Sequence, residues 1–178
     1  MCISNHGGSV RLLICNNDET IKAYTLPGLQ RVASISLPTA VNYASVSPDG
    51  RKLIAVGDSP QVFLYNITAN GTYERIATMN GNLLNLHCFK HFLNDVTFWY
   101  LICWIASNDA GFSCAWNHSS DKFAVASQDG YVSVWDIRST EKIAKLASKQ
   151  NPQVKGACRC VKFSPSSSMD LLMFSEVI

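Results

Sequence analysis

The feature that most constrains the fold is a short pattern that occurs three times. The copies are "LLICNNDETIKAYTL" (12–26), "LIAVGDSPQVFLYNI" (53–67) and "FAVASQDGYVSVWDI" (123–137). Each is an apolar run, a polar turn and an alternating run that ends in an aromatic residue. Alternation with a period of two is typical of strands whose two faces differ. A turn such as Asp129-Gly130 indicates a hairpin, because glycine accepts the positive φ of a tight turn. The chain is therefore built from repeated hairpins.

Further strands flank these hairpins. "VNYASVSPDG" and "GFSCAWNHSSD" precede the second and third copies, and "YERIATM" and "EKIAKLAS" follow them. No segment has a convincing amphipathic helix pattern. The sequence predicts an all-β chain whose repeating unit is four antiparallel strands.

The stretch "SQDGYVSVWDI" resembles the WD-repeat family. Units of that family are about 40–45 residues long, and each forms one four-stranded propeller blade. The resemblance implies a buried hydrogen-bonded set made of Ser127, Asp129 and Trp135. Tyr24 and Tyr65 occupy the Trp135 position in the other copies.

The other copies are more degenerate. Asp18 and Ser59 stand at the turn position of Asp129, and Asn108-Asp109 stands roughly where the family has a histidine. The strand pattern nevertheless agrees throughout.

The resemblance implies a partial β-propeller of about three and a half WD-type blades. The expected blades cover residues 1–37, 38–79, 106–150 and, in part, 156–178. We expect residues 1–11 to begin late in a blade and the chain to stop after a second strand. Propellers typically close with four to eight blades, so we expect a fragment of a longer protein.

The tail "CRCVKFSPSSSMDLLMFSE" (158–176) carries a second resemblance, to a short domain of unknown function near the C-terminus of a fungal and plant WD-repeat family. The matching residues are Arg159, Val161, Phe163, Ser164, Pro165, Asp170, Leu171, Leu172, Ser175 and Glu176. Alignment of Ser127 with Ser175 makes this tail the start of a further blade.

Composition bounds the chemistry. The net charge of +2 demands neither nucleic acid nor an anionic membrane as partner. The N-terminus lacks a secretory signal, so the seven cysteines are expected to be reduced and mostly buried, in the cytoplasm or nucleus. Cys158 and Cys160 are expected on one buried face of a strand.

No catalytic or cofactor motif stands out. His87, Cys88, His91 and Cys103 have the side chains of a zinc site, but their spacing matches no common pattern. No nucleophile elbow, dinucleotide fingerprint or P-loop is present in the sequence. We therefore predict no enzymatic activity, no cofactor and no metal.

Basic residues concentrate near the C-terminal end. Residues 138–162 contain seven Lys or Arg and one acid, Glu141. Such a run can meet a phosphate backbone. We favour a role for Lys142 and Lys145 in protecting the outer edge of a blade from pairing.

The main functional prediction is a non-catalytic scaffold for protein–protein interactions. The alternative is a substrate receptor of a cullin-type ubiquitin ligase, because Trp135-Asp136-Ile137-Arg138 resembles the element by which some WD-repeat proteins dock on the ligase adaptor. Arg138 would be the docking residue, supported by Asp129 and Asp136.

Residues 80–105 interrupt the repeat. The first and second copies are 41 residues apart, whereas the second and third are 70 apart, an excess of roughly 25 over the family period. The segment is apolar at 16 of its 26 positions and contains "FWYLICWI". A membrane helix needs about 20 apolar residues, and polar residues break this run. A surface loop between blades should be polar.

We favour a third interpretation, a retained intron in the gene model. Codons for Gly81 and for Ile105-Ala106 can supply a GT start and an AG end, and the excision would remove 25 codons in frame. We expect cDNA to read from Asn80 through one alanine codon into Ser107. The protein without the segment should be more soluble, because six aromatic residues would leave the surface. A dominant transcript that keeps the segment would refute the hypothesis.

Overall fold

The structure, a computed structural model, describes residues 1–6, 9–79, 109–138, 142–147 and 156–177. This part of the chain contains fourteen strands and no helix, and therefore no helix that could cross a membrane. The interpretations of residues 80–105, including the zinc-type side chains, lie outside the described residues.

The strands form three four-stranded sheets and one two-stranded sheet. The first sheet consists of β1 Cys2–His6, β2 Ser9–Cys15, β3 Thr20–Thr25 and β4 Arg31–Ser36. The second consists of β5 Val41–Val46, β6 Lys52–Gly57, β7 Ser59–Ile67 and β8 Tyr73–Met79. The third consists of β9 Gly111–Trp116, β10 Lys122–Ser127, β11 Tyr131–Asp136 and β12 Lys142–Ala147. The tail sheet consists of β13 Ala157–Phe163 and β14 Leu172–Val177.

Each sheet is an antiparallel meander whose strands pair in chain order. The first strands are neighbours from sheet to sheet, since β1 lies beside β5, β5 beside β9, and β9 beside β13. Successive sheets stacked around a row of inner strands are the arrangement of a partial β-propeller. The predicted fold class is therefore confirmed. The expectation that residues 1–11 begin late in a blade is wrong, because Cys2–His6 is the first strand of a complete sheet.

Register shows that the three copies are structurally equivalent. Three facing pairs occupy the same place in the second and third strands of successive sheets: Leu12–Tyr24, Leu53–Tyr65 and Phe123–Trp135. In each of the three four-stranded sheets a β-bulge immediately precedes this aromatic residue, which faces a cation on the fourth strand. The facing cations are Arg31, Arg75 and Lys142. Sequence offsets of 41 residues between the first and second copies, and of 70 between the second and third, therefore relate structurally equivalent positions even though the two offsets differ.

The second sheet buries both faces. Toward the first sheet it presents Leu53, Ala55, Phe63 and Tyr65, packed with Leu13, Ile21 and Ile35. Toward the third sheet it presents Ile54, Val56, Val62 and Leu64, packed with Phe123, Val125 and Trp135. Burial on both faces is the reason that β6 is continuously apolar, since neither set of alternating side chains meets water.

The third sheet buries its second face against the tail. Ala124, Ala126, Val132 and Val134 pack with Cys158 and Val161 of β13. The tail strands therefore extend the stack in the same direction as the earlier sheets.

A β-bulge in β13 corrects two predictions about the tail. The pairing jumps from Cys158–Glu176 to Cys160–Ser175, which leaves Arg159 as the extra residue. Because the bulge resets the alternation, Cys158 is buried while Cys160 is exposed, so the two thiols do not share a buried face. The same bulge pattern pairs Gly111 with Ser127, which makes Glu176, and not Ser175, the counterpart of Ser127.

Trp135 is central to the packing of the third sheet. Its side chain is 1% exposed and stacks on Phe123 with the ring centroids 5.2 Å apart. We predict that Trp135→Ala lowers the free energy of unfolding by about 3–5 kcal/mol, the range for truncation of a large buried side chain. Chemical denaturation of both proteins measures the change. An unchanged midpoint would mean that Trp135 lies outside the core.

Candidate functional site

The turn between β10 and β11 contains the Ser–Asp part of the predicted network. Ser127 Oγ lies 2.8 Å from Asp129 Oδ1 and 2.9 Å from the Tyr131 carbonyl oxygen. The Tyr131 backbone N–H donates to the same Asp129 oxygen at 3.3 Å. Ser127 is fully buried, and Gly130 has a φ of 78° that completes the turn. The arrangement holds the hairpin closed.

The other two copies hold their turns in a similar way. Ser59 Oγ accepts a hydrogen bond from the Gln61 backbone N–H at 3.2 Å. Asp18 Oδ1 accepts from Thr20 Oγ1 at 2.5 Å. Both side chains thus bond to the residue two places along, as Asp129 does. Asp18 and Asp129 lie in the turns before β3 and β11, whereas Ser59 is already the first residue of β7 and pairs with Gly57.

Asp136 and Arg138 form a rigid pair at the end of β11. Arg138 donates from Nε to Asp136 Oδ1 at 2.8 Å and from Nη2 to Asp136 Oδ2 at 2.5 Å. The Arg138 backbone N–H donates to Asp136 as well, at 2.9 Å. These hydrogen bonds hold the pKa of the Asp136 carboxyl far below its usual value and raise the pKa of Arg138. Asp136 is 18% exposed and Arg138 73% exposed, so the pair presents an oriented cation to solvent.

Asp129 lies too far from Arg138 to contact its side chain. Asp129 precedes β11 and Arg138 follows it, and the six residues of that strand span roughly 20 Å. The second carboxylate near Arg138 is instead Asp121, with Asp121 Oδ2 lying 3.8 Å from Arg138 Nη2. The role of Asp121 was not predicted from the sequence. The only feature of the sequence that relates Asp121 to this site is its position in the same turn as Asn117.

Asp121 connects this pair to the tail through a set of polar side chains that we call the ionic cluster. Its members are Asn117, Asp121, Lys122, Asp136, Arg138 and Asp170. Asn117 Nδ2 donates to Asp121 at 2.7 Å and to Asp170 at 3.1 Å. Lys122 Nζ lies 3.1 Å from the same Asp170 oxygen. The cluster therefore joins the β9–β10 loop, the end of β11 and the tail.

Within the described residues, cations of the basic run contact aromatic rings on different strands. Lys142 Nζ lies 5.7 Å from the centre of the Trp135 ring, and Lys145 Nζ lies 3.6 Å from that of Tyr131. Both lysines belong to β12, the outermost strand of its sheet, as predicted. Farther along, the Arg159 guanidinium stacks on the Phe112 ring at 3.9 Å, on an inner strand. These cations are spread over several surfaces and contact aromatic rings.

The fold defines a partial β-propeller that ends in a short tail sheet, and comparison with known proteins agrees with the tail assignment. Residues 156–177 match an uncharacterised protein domain, DUF2415. The predicted short domain of unknown function is therefore confirmed. Within it, Arg159, Val161 and Asp170 all contact the third sheet.

The chain is also similar to two longer fungal proteins. It is 36% identical over 169 residues to an uncharacterized protein of Schizosaccharomyces pombe, an alignment that covers 92% of this chain and 41% of the relative. It is 27% identical over 178 residues to an uncharacterized protein of Saccharomyces cerevisiae, which covers 93% of this chain and 24% of the relative. The chain thus spans less than half the length of these relatives.

The ionic cluster is expected to make the stability of the fold depend on pH through Asp170. Hydrogen bonds from Asn117 and Lys122 lower the pKa of Asp170. A carboxyl with a lowered pKa stabilises the fold above its unfolded pKa, and the stabilisation is lost as the pH falls through the folded value. We expect Asp170→Asn to cost about 1 kcal/mol or less at neutral pH, because the group is partly exposed. The difference from the native protein should shrink below about pH 4.

Thermal denaturation of both proteins between pH 3 and pH 7 measures this difference. A cost that is the same at every pH would show that the Asp170 charge does not matter.

Proposed function

We propose that this chain is part of a WD-type propeller and acts as a non-catalytic scaffold for protein–protein interactions. The observation that carries the proposal is the repetition of one bulge and one aromatic–cation pair in three successive four-stranded sheets. We interpret the repeating four-stranded unit as a WD-type blade because "SQDGYVSVWDI" resembles that family. The match of the tail to a domain of unknown function adds no activity of its own.

The packing supports a scaffold role. Side chains on both faces of the second sheet, and of the third sheet, lie in the core. Amino-acid substitutions that change binding but preserve the fold are therefore confined to loops, strand edges and strand ends. Propellers present such surfaces on a rigid frame.

A second candidate function, substrate receptor of a cullin-type ubiquitin ligase, rests on the Asp136–Arg138 pair. The Arg138 guanidinium is held by two side-chain hydrogen bonds and yet is largely exposed. A cation whose orientation is already fixed loses little conformational entropy when it docks. That geometry suits a docking residue.

One capture experiment tests both proposals. The full-length protein would be tagged, expressed in its own cells and isolated with its partners after brief cross-linking. A scaffold should bring down a small set of proteins in near-stoichiometric amounts. If it is a ligase receptor, the adaptor should be among them, and Arg138→Ala should reduce adaptor recovery at least tenfold.

Arg31→Ala, which removes an exposed arginine from β4, is the matched control and should keep the adaptor. A native protein that never captures the adaptor contradicts the ligase proposal alone. A native protein that captures nothing above an untagged control contradicts the scaffold proposal.

A further inference from the structure

A cleft separates the outer strand of the first sheet from the outer part of the second. Its volume is about 620 Å³. One wall is β4, which contributes residues 32–36. The opposite wall is Tyr65 of β7, the turn 70–72, and Tyr73 and Arg75 of β8, while Arg11 of β2 reaches in from the first sheet.

Two buried donors in this cleft have no partner among the described residues. Tyr65 is 2% exposed, yet its hydroxyl makes no hydrogen bond, and neither does Nε of Arg11. Buried polar groups are nearly always hydrogen-bonded, because their separation from water is otherwise uncompensated. Two such donors on one cleft point to an acceptor supplied from outside.

The charge of the cleft indicates that the acceptor is anionic. Its lining contains Arg11 and Arg75 and no Asp or Glu. Arg11 Nη1 donates to the Gly71 carbonyl oxygen at 2.8 Å and lies 3.4 Å from the Tyr73 hydroxyl. These contacts satisfy one end of the guanidinium and fix the direction of Nε. No described acid forms a salt bridge with Arg11.

The Tyr65 hydroxyl stays protonated and can therefore donate a hydrogen bond. Burial raises the pKa of its hydroxyl, and the charge of Arg75 opposes the rise only in part. The hydroxyl therefore keeps its proton at neutral pH. Tyr24 and Trp135 occupy the equivalent places in the first and third sheets, but Tyr65 is the one of the three that lines this cleft.

The shape of the wall indicates an extended ligand. Successive side chains of a strand point to opposite faces, so five consecutive residues can line one cleft only along the backbone edge of the strand. β4 is the outermost strand of its sheet and pairs with β3 alone among the described strands. Its open edge, roughly 16 Å long, can accept the main-chain hydrogen bonds of an added strand.

We infer that this cleft binds an extended peptide that pairs with the edge of β4 and places an acidic side chain against Arg11 and Tyr65. A carboxylate and a phosphorylated hydroxyl share the chemistry that Arg11 Nε and the Tyr65 hydroxyl require. The inference rests on the scaffold function proposed above and assigns it one binding site and one class of partner segment.

Three labelled seven-residue peptides test the inference with the full-length protein. Each alternates threonine and valine around one central residue, which is glutamate, phosphoserine or glutamine. We expect the two acidic peptides to bind, and the glutamine peptide to bind about tenfold more weakly. The stronger of the acidic pair identifies the anion. Bound peptide should slow hydrogen exchange at backbone amides of β4, which inorganic phosphate alone would not do.

Tyr65→Phe separates binding from folding. It removes the unpartnered hydroxyl and keeps the buried ring, so the melting temperature without peptide should stay the same or rise. Affinity for the acidic peptides should fall about tenfold. Arg75→Gln should weaken binding as well. Lys142→Gln removes the equivalent cation of the third sheet and should leave the affinity unchanged.

Three results would overturn the inference. The first is equal binding of the acidic and glutamine peptides, and the second is full affinity in Tyr65→Phe. The third is binding of inorganic phosphate with no peptide binding and no protection of β4. In each case partners captured through other surfaces would leave the scaffold proposal intact, so the two failures are distinguishable.

Discussion

The second sheet packs one face on the first sheet and the other on the third, and the third sheet repeats this between the second sheet and the tail. Each of these two sheets is thus a layer whose two surfaces must fit two different neighbours. Close-packed interiors tolerate few voids, so the shape of each layer limits the next. The apolar runs formed by residues 53–56 of β6 and 123–126 of β10 have this double role.

This packing also explains where binding chemistry is found. The middle strands have little exposed side-chain surface, so charged groups collect at loops, strand ends and outer edges. The ionic cluster lies where three such segments meet, and the cleft lies where the outer strand of one layer meets the next layer. Tyr65 belongs both to the packed face and to the cleft, since it is part of the core and lines the cleft, and its buried hydroxyl has no hydrogen-bond partner among the described residues.

Local patterns predicted the fold well and the contacts between segments poorly. The hairpins, the turn residues and the equivalence of Tyr24, Tyr65 and Trp135 followed from spacing, because period-two alternation and turn chemistry act over a few residues. The exposure of Cys160 did not follow, because a bulge at Arg159 inverts the alternation. The approach of Asp170 to Lys122 also could not be read from residues 48 positions apart.

The sequence by itself determined an all-β chain of repeated four-stranded units, with Ser127, Asp129 and Trp135 in structural places. Those features depend on hydrogen bonds and side-chain alternation within one hairpin. Tertiary structure alone decided that Asp170 of the tail reaches Asn117 and Lys122, and that Arg11 of the first sheet reaches Gly71 of the second. Each of these depends on how one layer stacks on another, and stacking brings together side chains that no local pattern relates.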